Sequence, residues 1–211
     1  MSLFKVFCIV AIAFVVSCHT GSLIPPPDKL TADNAKCLLA SKHEFTVIRG
    51  YLSDGKVDPN GVANFDAAKT GGFKAIEVSI SPCLPCEPAD QIKQILDAFK
   101  SETYGRIWIN IGVPGWREFK NFNILFFEDL VNGFLKGGKK VGVIASKFEW
   151  EEYFGTDYTG GAKFGLMYKS LNKDPSYKDF KPFGGWRKPE AKQYDTDAAI
   201  CSLKMDLVYM E

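Results

Sequence analysis

Arg106-Ile107-Trp108-Ile109-Asn110-Ile111-Gly112 is the stretch that decides the fold. Ile107, Ile109 and Ile111 fall on one side of it; Trp108, Asn110 and Gly112 fall on the other. Successive side chains of a strand point to opposite faces, so this is a strand with two different environments. Phe73-Lys-Ala-Ile-Glu-Val-Ser-Ile80 repeats the arrangement, with Ile76, Val78 and Ile80 opposed to Ala75, Glu77 and Ser79. The branched faces are expected to pack against outer helices and the mixed faces to line a barrel interior. Sites of (β/α) barrels lie at the carboxyl ends of the strands, which is where Glu77, Ser79, Asn110 and Gly112 are expected.

Around these two strands the pattern alternates. Thr31–Ser41 reads as a helix capped by Thr31, Phe45–Tyr51 as a strand, and Asn60–Thr70 as a helix stopped at Gly71-Gly72. Ala89–Lys100 carries a helical stripe of Ile92, Ile95, Leu96 and Phe99. Asn121–Leu135 is a helix and Lys140–Ala145 a strand, after which Ser146 caps a short helix reaching Phe154. Phe164–Tyr168, Ala191–Tyr194 and Met205–Tyr209 are short strands joined by Gly- and Pro-rich loops. Ser22–Asp28, with Pro25-Pro26-Pro27, is an extended lead-in. The alternation predicts an α/β single domain with a mainly parallel sheet, closed as a barrel or open. The late fading of helices suggests that the barrel is incomplete.

The 211 residues suffice for one sizeable core, and 46% hydrophobic with 24% charged residues is a globular mix rather than a disordered one. Lys5, the apolar run Val6–Val16 and then Ser17 and Cys18 read as a signal peptide over residues 1–18, leaving 19–211 as the mature domain. The run is too short for a spanning helix, which needs about 20 residues. Losing Lys5 takes the formal net charge from +1 to zero, so charge gives no case for nucleic acid or an anionic membrane as partner. The compartment is extracellular, or a lysosomal or vesicular lumen, and the chain is expected to be a monomer. Cys37, Cys83, Cys86 and Cys201 then remain, an even set that reads as two disulfides. Three pairings are open, among them Cys83 with Cys86 and Cys37 with Cys201. No cofactor or metal is expected: there is no second short Cys pair, and His43 is the one imidazole counted as surviving processing.

Glu77 is a lone carboxylate in an apolar strand, costly to bury unless catalytic or paired with an inward Arg or Lys. Asp206, in Lys204-Met-Asp-Leu207, is a second strand carboxylate, with an exposed edge position as its plainer reading. Trp108, Trp116, Trp150, Trp186, Tyr168 and Tyr194 offer faces for stacking on sugar rings, although each singly suits core packing. Asp54, Asp58 and Asn60 lack a Ca²⁺-loop spacing and read as a solvated turn.

Several pieces occur in a telling order: Cys37 before Phe45–Tyr51; Val57-Asp-Pro-Asn60; Phe73–Pro82 followed by Cys83-Leu-Pro-Cys86; and Trp108-Ile-Asn-Ile-Gly112. Val141–Trp150, Phe183-Gly-Gly-Trp186 with Pro189, Lys192-Gln-Tyr194, Cys201 and Asp206 follow. Together they resemble the glycoside hydrolase family 25 lysozymes, especially the form of nematodes and amoebae, from about Asn34 to the C-terminus. The resemblance implies a flattened, irregular TIM-like (β/α) barrel and cleavage of the β-1,4 bond after N-acetylmuramic acid in peptidoglycan, in bacterial digestion and antibacterial defence. It also implies an Asp-x-Glu pair at the end of the fourth strand, the Glu being the proton donor. Here those positions hold Asn110 and Gly112. The family's first-strand Asp meets Gly21–Pro25, which has no acid; Glu77 and Asp206 match two further acids. A third-strand aromatic is replaced by Ser79, and a groove-lining Trp-Tyr pair by Met167-Tyr168.

Three readings follow from this loss. One is a lysozyme-like protein of innate defence that binds peptidoglycan or a related glycan through Trp108, Asn110, Tyr168, Trp186 and Tyr194, with little or no muramidase turnover. The second is an active muramidase using Glu77, helped by Asp206 and by the substrate's own acetamido group. The third is a non-catalytic structural or signalling protein whose groove is closed.

Overall fold

The computed structural model describes residues 19–24 and 29–211; the expected leader and the Pro25-Pro26-Pro27 run lie outside the described residues. Eight strands close into a barrel in chain order: β1 (His19–Ile24), β2 (His43–Tyr51), β3 (Ala75–Ile80), β4 (Ile107–Asn110), β5 (Val141–Ala145), β6 (Gly165–Lys169), β7 (Ala191–Ile200) and β8 (Leu203–Met210). Helices α1 (Ala32–Ala40), α2 (Gly61–Gly71), α3 (Pro88–Ala98), α4 (Lys120–Lys136) and α5 (Lys147–Phe154) follow the first five strands in turn. Strands β1 to β7 are parallel, and β8 runs antiparallel to both β7 and β1.

Local chemistry sets these elements. Thr31 caps α1 through the Asn34 N–H, and Ser146 caps α5 through the Glu149 N–H, each in a reciprocal capping box. Gly72, at φ 111°, ends α2 in the left-handed region. The alternation read in β3 and β4 places their side chains as expected. Ile76, Val78, Ile80, Ile107, Ile109 and Ile111 join the core between barrel and helices. Trp108 joins Leu23, Phe45, Val47, Ile144, Met167, Ala191 and Val208 in a second core inside the barrel.

Three expectations are corrected. Of the two forms left open the barrel is the one found, and it is complete rather than incomplete: all eight strands close, no helix follows α5 among the described residues, and β7 and β8 form a hairpin in the barrel wall. That hairpin turns on Cys201 and Ser202, at φ 54° and 61°, the paired positive values of a tight two-residue turn. The lead-in is a true strand up to Ile24; His19-Thr-Gly-Ser lacks apolar alternation, yet Ser22 hydrogen-bonds Thr46 of β2 inside the fold. The turn at Asp58 is not solvated: Asp58 is buried and accepts two hydrogen bonds from Arg49, at 2.9 and 2.8 Å.

Of the three open pairings, the one formed joins Cys37 to Cys201 and Cys83 to Cys86. Cys201 lies in the β7–β8 turn rather than in a strand. Among the described residues no helix is long and apolar enough to cross a membrane.

Candidate functional site

The carboxyl mouth of the barrel is built from strand ends. Asn110 is the last residue of β4 and Lys169 the last of β6, while Ser146 and Glu149 open α5 just beyond β5. Asn110 is partly exposed and Gly112 exposed; the Asn110 side-chain oxygen accepts the Gly112 N–H at 2.9 Å. Lys169 shares the inward side of β6 with Met167, and its ammonium donates to Glu149 Oε1. The other Glu149 oxygen accepts the Ser146 N–H at 2.8 Å and its hydroxyl at 2.9 Å. Glu149 is therefore an acceptor on both oxygens.

This pair stands where a side chain at position 112 would begin. A Cβ on Gly112 would meet Glu149 Oε1 at 2.6 Å and Asn110 Oδ1 at 3.3 Å, and would meet Lys169 Nζ more closely still. Both obstructing groups are tips of side chains, so a larger residue at 112 is excluded less by hard packing than by the ion pair it would have to displace. Neither Glu149 nor Lys169 was singled out in the sequence. The signals were present: Ser146-x-x-Glu149 is a capping box directly after a strand, and Lys169 is two residues on from Met167.

Asp206 completes the mouth from β8. It sits on the inward side with Val208 and Met210 and accepts from Gln193 of β7 at 2.7 Å. It is not on an exposed edge, because a closed barrel leaves β8 paired on both sides. Burial pushes its carboxyl up to about 6, against hydrogen bonds from Gln193 and the Asp197 backbone and against the charge of Lys169. An unfolded Asp titrates near 3.9, so the unfolded chain releases this proton first as pH rises. Stability is accordingly lost between about pH 4 and pH 6 and is not regained above that. Asp206→Asn, which keeps an acceptor for Gln193, is expected to be more stable than the natural chain at pH 7.5 by on the order of 2 kcal/mol and equal to it near pH 4. Denaturant midpoints at the two pH values check this; an equal difference at both removes the titration from the account.

Glu77 lies at the other end of the barrel, which corrects its expected place at the carboxyl end. It is the third residue of β3, and it lines a pocket of about 300 Å³ with His19, Glu44, Phe45 and Ala75 from the amino ends of β1 to β3 and Met210 from the end of antiparallel β8. The inward-arginine reading of Glu77 is the one that holds. Arg106 Nε stands 3.4 Å from Glu77 Oε1 and also clasps Glu190, with Nη1 to Oε2 at 2.8 Å. The Trp108 indole N–H donates to the other Glu77 oxygen. Burial raises the Glu77 carboxyl above its ordinary range, opposed by Trp108 and Arg106.

The aromatic candidates are mostly spent on packing. Trp108 is wholly buried inside the barrel, facing Gly142 across the β4–β5 pair. Trp186 is buried, at 4.6 Å from Trp150 between ring centres, and donates to the Phe164 carbonyl. Tyr168 points outward onto Phe180 and Phe183. Tyr194, half-buried on β7, alternates with the inward Gln193. Trp108 has no surface to offer a ligand, Trp186 keeps only 4% of its surface, in a pocket with Gly185, Arg187 and Glu190, and Tyr168 faces away from the mouth. Among the described residues no group of three His, Cys, Asp or Glu could hold a metal ion.

A family model described as Lys-1, lysozyme-like protein 1, matches residues 25–194. A probable GH family 25 lysozyme 2 of Dictyostelium discoideum is 37% identical over 180 residues, covering 84% of each chain. In fold, the chain is similar to a family GH25 lysozyme from Aspergillus fumigatus, with a TM-score of 0.71 at 13% identity over 92% of this chain and 94% of that one. It is also similar to the modular autolysin LytC of Streptococcus pneumoniae, solved in complex with a synthetic peptidoglycan ligand. That likeness has a TM-score of 0.69 at 12% identity and covers 92% of this chain and 47% of the other.

Proposed function

We propose that this chain, which belongs to the glycoside hydrolase family 25 lysozyme and lysozyme-like proteins, is a secreted peptidoglycan-binding protein of antibacterial defence that has lost normal muramidase turnover. The observation that carries this reading is the Lys169–Glu149 pair beside Gly112. By the resemblance, Gly112 stands at the family's proton-donor position and Asn110 at its partner's.

The ordinary glycosidase mechanism uses two carboxyl groups, one giving a proton and one acting as base or nucleophile, and even its substrate-assisted form keeps the proton donor. Asn110 has no charge to offer. Both Glu149 oxygens are engaged, one by Ser146 at the helix terminus and one by Lys169, so neither is turned to a glycosidic oxygen. Asp206, raised to about 6, can carry a proton at mildly acid pH but lacks a free carboxylate partner in the mouth described above. Losing general acid catalysis alone removes about 10²–10⁴-fold in rate. Glu77 is separated from the mouth by the Trp108 layer of the barrel interior, which leaves the active-muramidase reading that relies on it without a geometric basis.

Exposed Gly112 and the partly exposed Asn110, Lys169 and Asp206 favour a mouth open to a polar ligand over a closed groove. Binding is tested by sedimentation with insoluble peptidoglycan under oxidising conditions. Saturable depletion of the protein from solution, weakened by Lys169→Glu with the fold intact by circular dichroism, is expected. A natural chain that stays in solution at every peptidoglycan concentration contradicts the reading and returns the structural or signalling alternative.

A further inference from the structure

The amino end of the barrel, opposite the mouth, holds a donor pair apart from the site described above. His19 opens β1 and Glu44 is the second residue of β2. The two meet across the strand pair, His19 Nδ1–H donating to Glu44 Oε2. Their side chains keep 37% and 55% of their surface, so the pair is accessible at the rim of the pocket of about 300 Å³. Glu44 has no other ion-pair partner among the described residues. Further in, Glu77 and Glu190 are opposed by Arg106 and Lys140, so those cations do not compete for Glu44.

The expected leader makes His19 more than a side chain. Residues 1–18 end in Ser17 and Cys18, small residues of the kind that precede a cleavage site. A cut after Cys18 leaves the whole of β1, His19–Ile24, paired with β2 and β8 in the barrel. The mature domain then holds two imidazoles, His19 as well as His43. The new α-amine of His19 and its Nδ1 can close a six-membered chelate ring on one metal ion through Cα, Cβ and Cγ; Nε2 cannot. Nδ1 is the nitrogen turned to Glu44, which puts a carboxylate oxygen in place as third donor. An ion about 2 Å from each donor asks this contact to open slightly, which two side chains more than a third exposed allow. One of the three donors is a main-chain amine, so no cluster of three His, Cys, Asp or Glu side chains marks the place.

We propose that removal of the leader after Cys18 makes His19 and Glu44 a binding site for one copper(II) ion at the amino end of the barrel. His19 gives its α-amine and Nδ1, and Glu44 gives Oε2. The α-ammonium and the imidazole N–H side release their protons to solvent as the ion takes their place. Two nitrogens and one oxygen bind copper(II) more tightly than the other divalent first-row ions. The site rests on the secreted reading above and not on the glycan mouth, from which the Trp108 layer separates it.

The test expresses the full chain with its own leader in a eukaryotic secretion host and sequences the amino terminus of the product. After treatment with a chelator, the product is titrated with copper(II), followed by calorimetry and electron paramagnetic resonance. A product that begins at His19 and binds one equivalent, with nitrogen hyperfine coupling, is expected. His19→Gln is expected to weaken binding at least about 100-fold, because the chelate is lost. Glu44→Gln is expected to weaken it about tenfold. A Ser-Pro-Ser-Pro extension ahead of His19 keeps both side chains and carries the amine away, and is expected to cost as much as His19→Gln. Circular dichroism checks that each variant keeps the fold. Binding unchanged by the extension or by Glu44→Gln overturns the proposal, as does a secreted product that starts elsewhere. A product that starts at His19 and binds no copper sinks the metal site alone. A chain retained in the cell with its leader uncut sinks the secreted reading and the site with it.

Discussion

Trp108→Ala is expected to cost about 3–5 kcal/mol of folding stability, the range for truncating a fully buried Trp. The indole fills the barrel interior against Val47, Ile144 and Met167, and its size is matched by the absence of a side chain at Gly142, directly opposite on β5. A Cβ at Gly142 would drive into the Trp108 ring. The two positions should therefore be coupled: Gly142→Ala destabilises the natural chain and is close to neutral in the Trp108→Ala background. The truncation also takes the indole donor from Glu77, leaving a buried carboxyl with Arg106 alone. Denaturant unfolding of the four chains of this cycle checks the claim. A loss below about 1 kcal/mol for Trp108→Ala, with peptidoglycan binding abolished, instead makes Trp108 a ligand contact and reopens the barrel.

The second large effect belongs to the Cys37–Cys201 bridge. It joins α1 to the β7–β8 turn across 164 residues, with Cα atoms 5.9 Å apart. Cross-linking so long a loop restricts the unfolded chain by about 5 kcal/mol on chain entropy, against about 2 kcal/mol for the short Cys83–Cys86 loop. Cys37→Ala/Cys201→Ala is therefore expected to be the more damaging pair by a wide margin, and Cys83→Ala/Cys86→Ala to act chiefly on the rim loop. Unfolding midpoints under oxidising conditions separate them. Equal losses contradict the assignment of the long bridge as the main covalent brace.

Much of this architecture was legible in the chain because buried strands advertise themselves. Ile107, Ile109 and Ile111 on one face of β4, and Ile76, Val78 and Ile80 on one face of β3, could pack on helices and nowhere else. The elements that escaped lack that signature. β1 is half polar, and its Ser22 is satisfied by Thr46 from another strand, a partner no local pattern reveals. The β7–β8 hairpin closes the barrel through an antiparallel register that short strand segments did not announce.

The site was legible in what it lacks, not in what replaced it. Asn110 and Gly112 stood out as missing acids. That Lys169 and Glu149 meet beside Gly112 depends on β6 and α5 converging at the mouth from 20 residues apart in the chain. Glu77 was misplaced because alternation gives the face of a strand and not the depth along it; its partners Arg106 and Glu190 precede β4 and β7 at the amino end. Trp108 and Trp186 were read as sugar platforms on residue type alone, which cannot distinguish a ring that lines a groove from one that fills a core.

The most direct measurement is a digest of purified peptidoglycan by the oxidised protein, with new reducing ends counted by mass spectrometry of the soluble fraction at pH 5 and pH 7.5. Glu77→Gln and the triple variant Asn110→Asp/Gly112→Glu/Lys169→Ala run beside the natural chain. The triple variant restores both acids and removes the ammonium that blocks position 112. No release by the natural chain or Glu77→Gln, with release by the triple variant, is the expected result for a barrel whose acid position is occupied by the Lys169–Glu149 pair. Release by the natural chain that disappears in Glu77→Gln contradicts it, and makes the protein an active muramidase working from a carboxylate assigned above to structure.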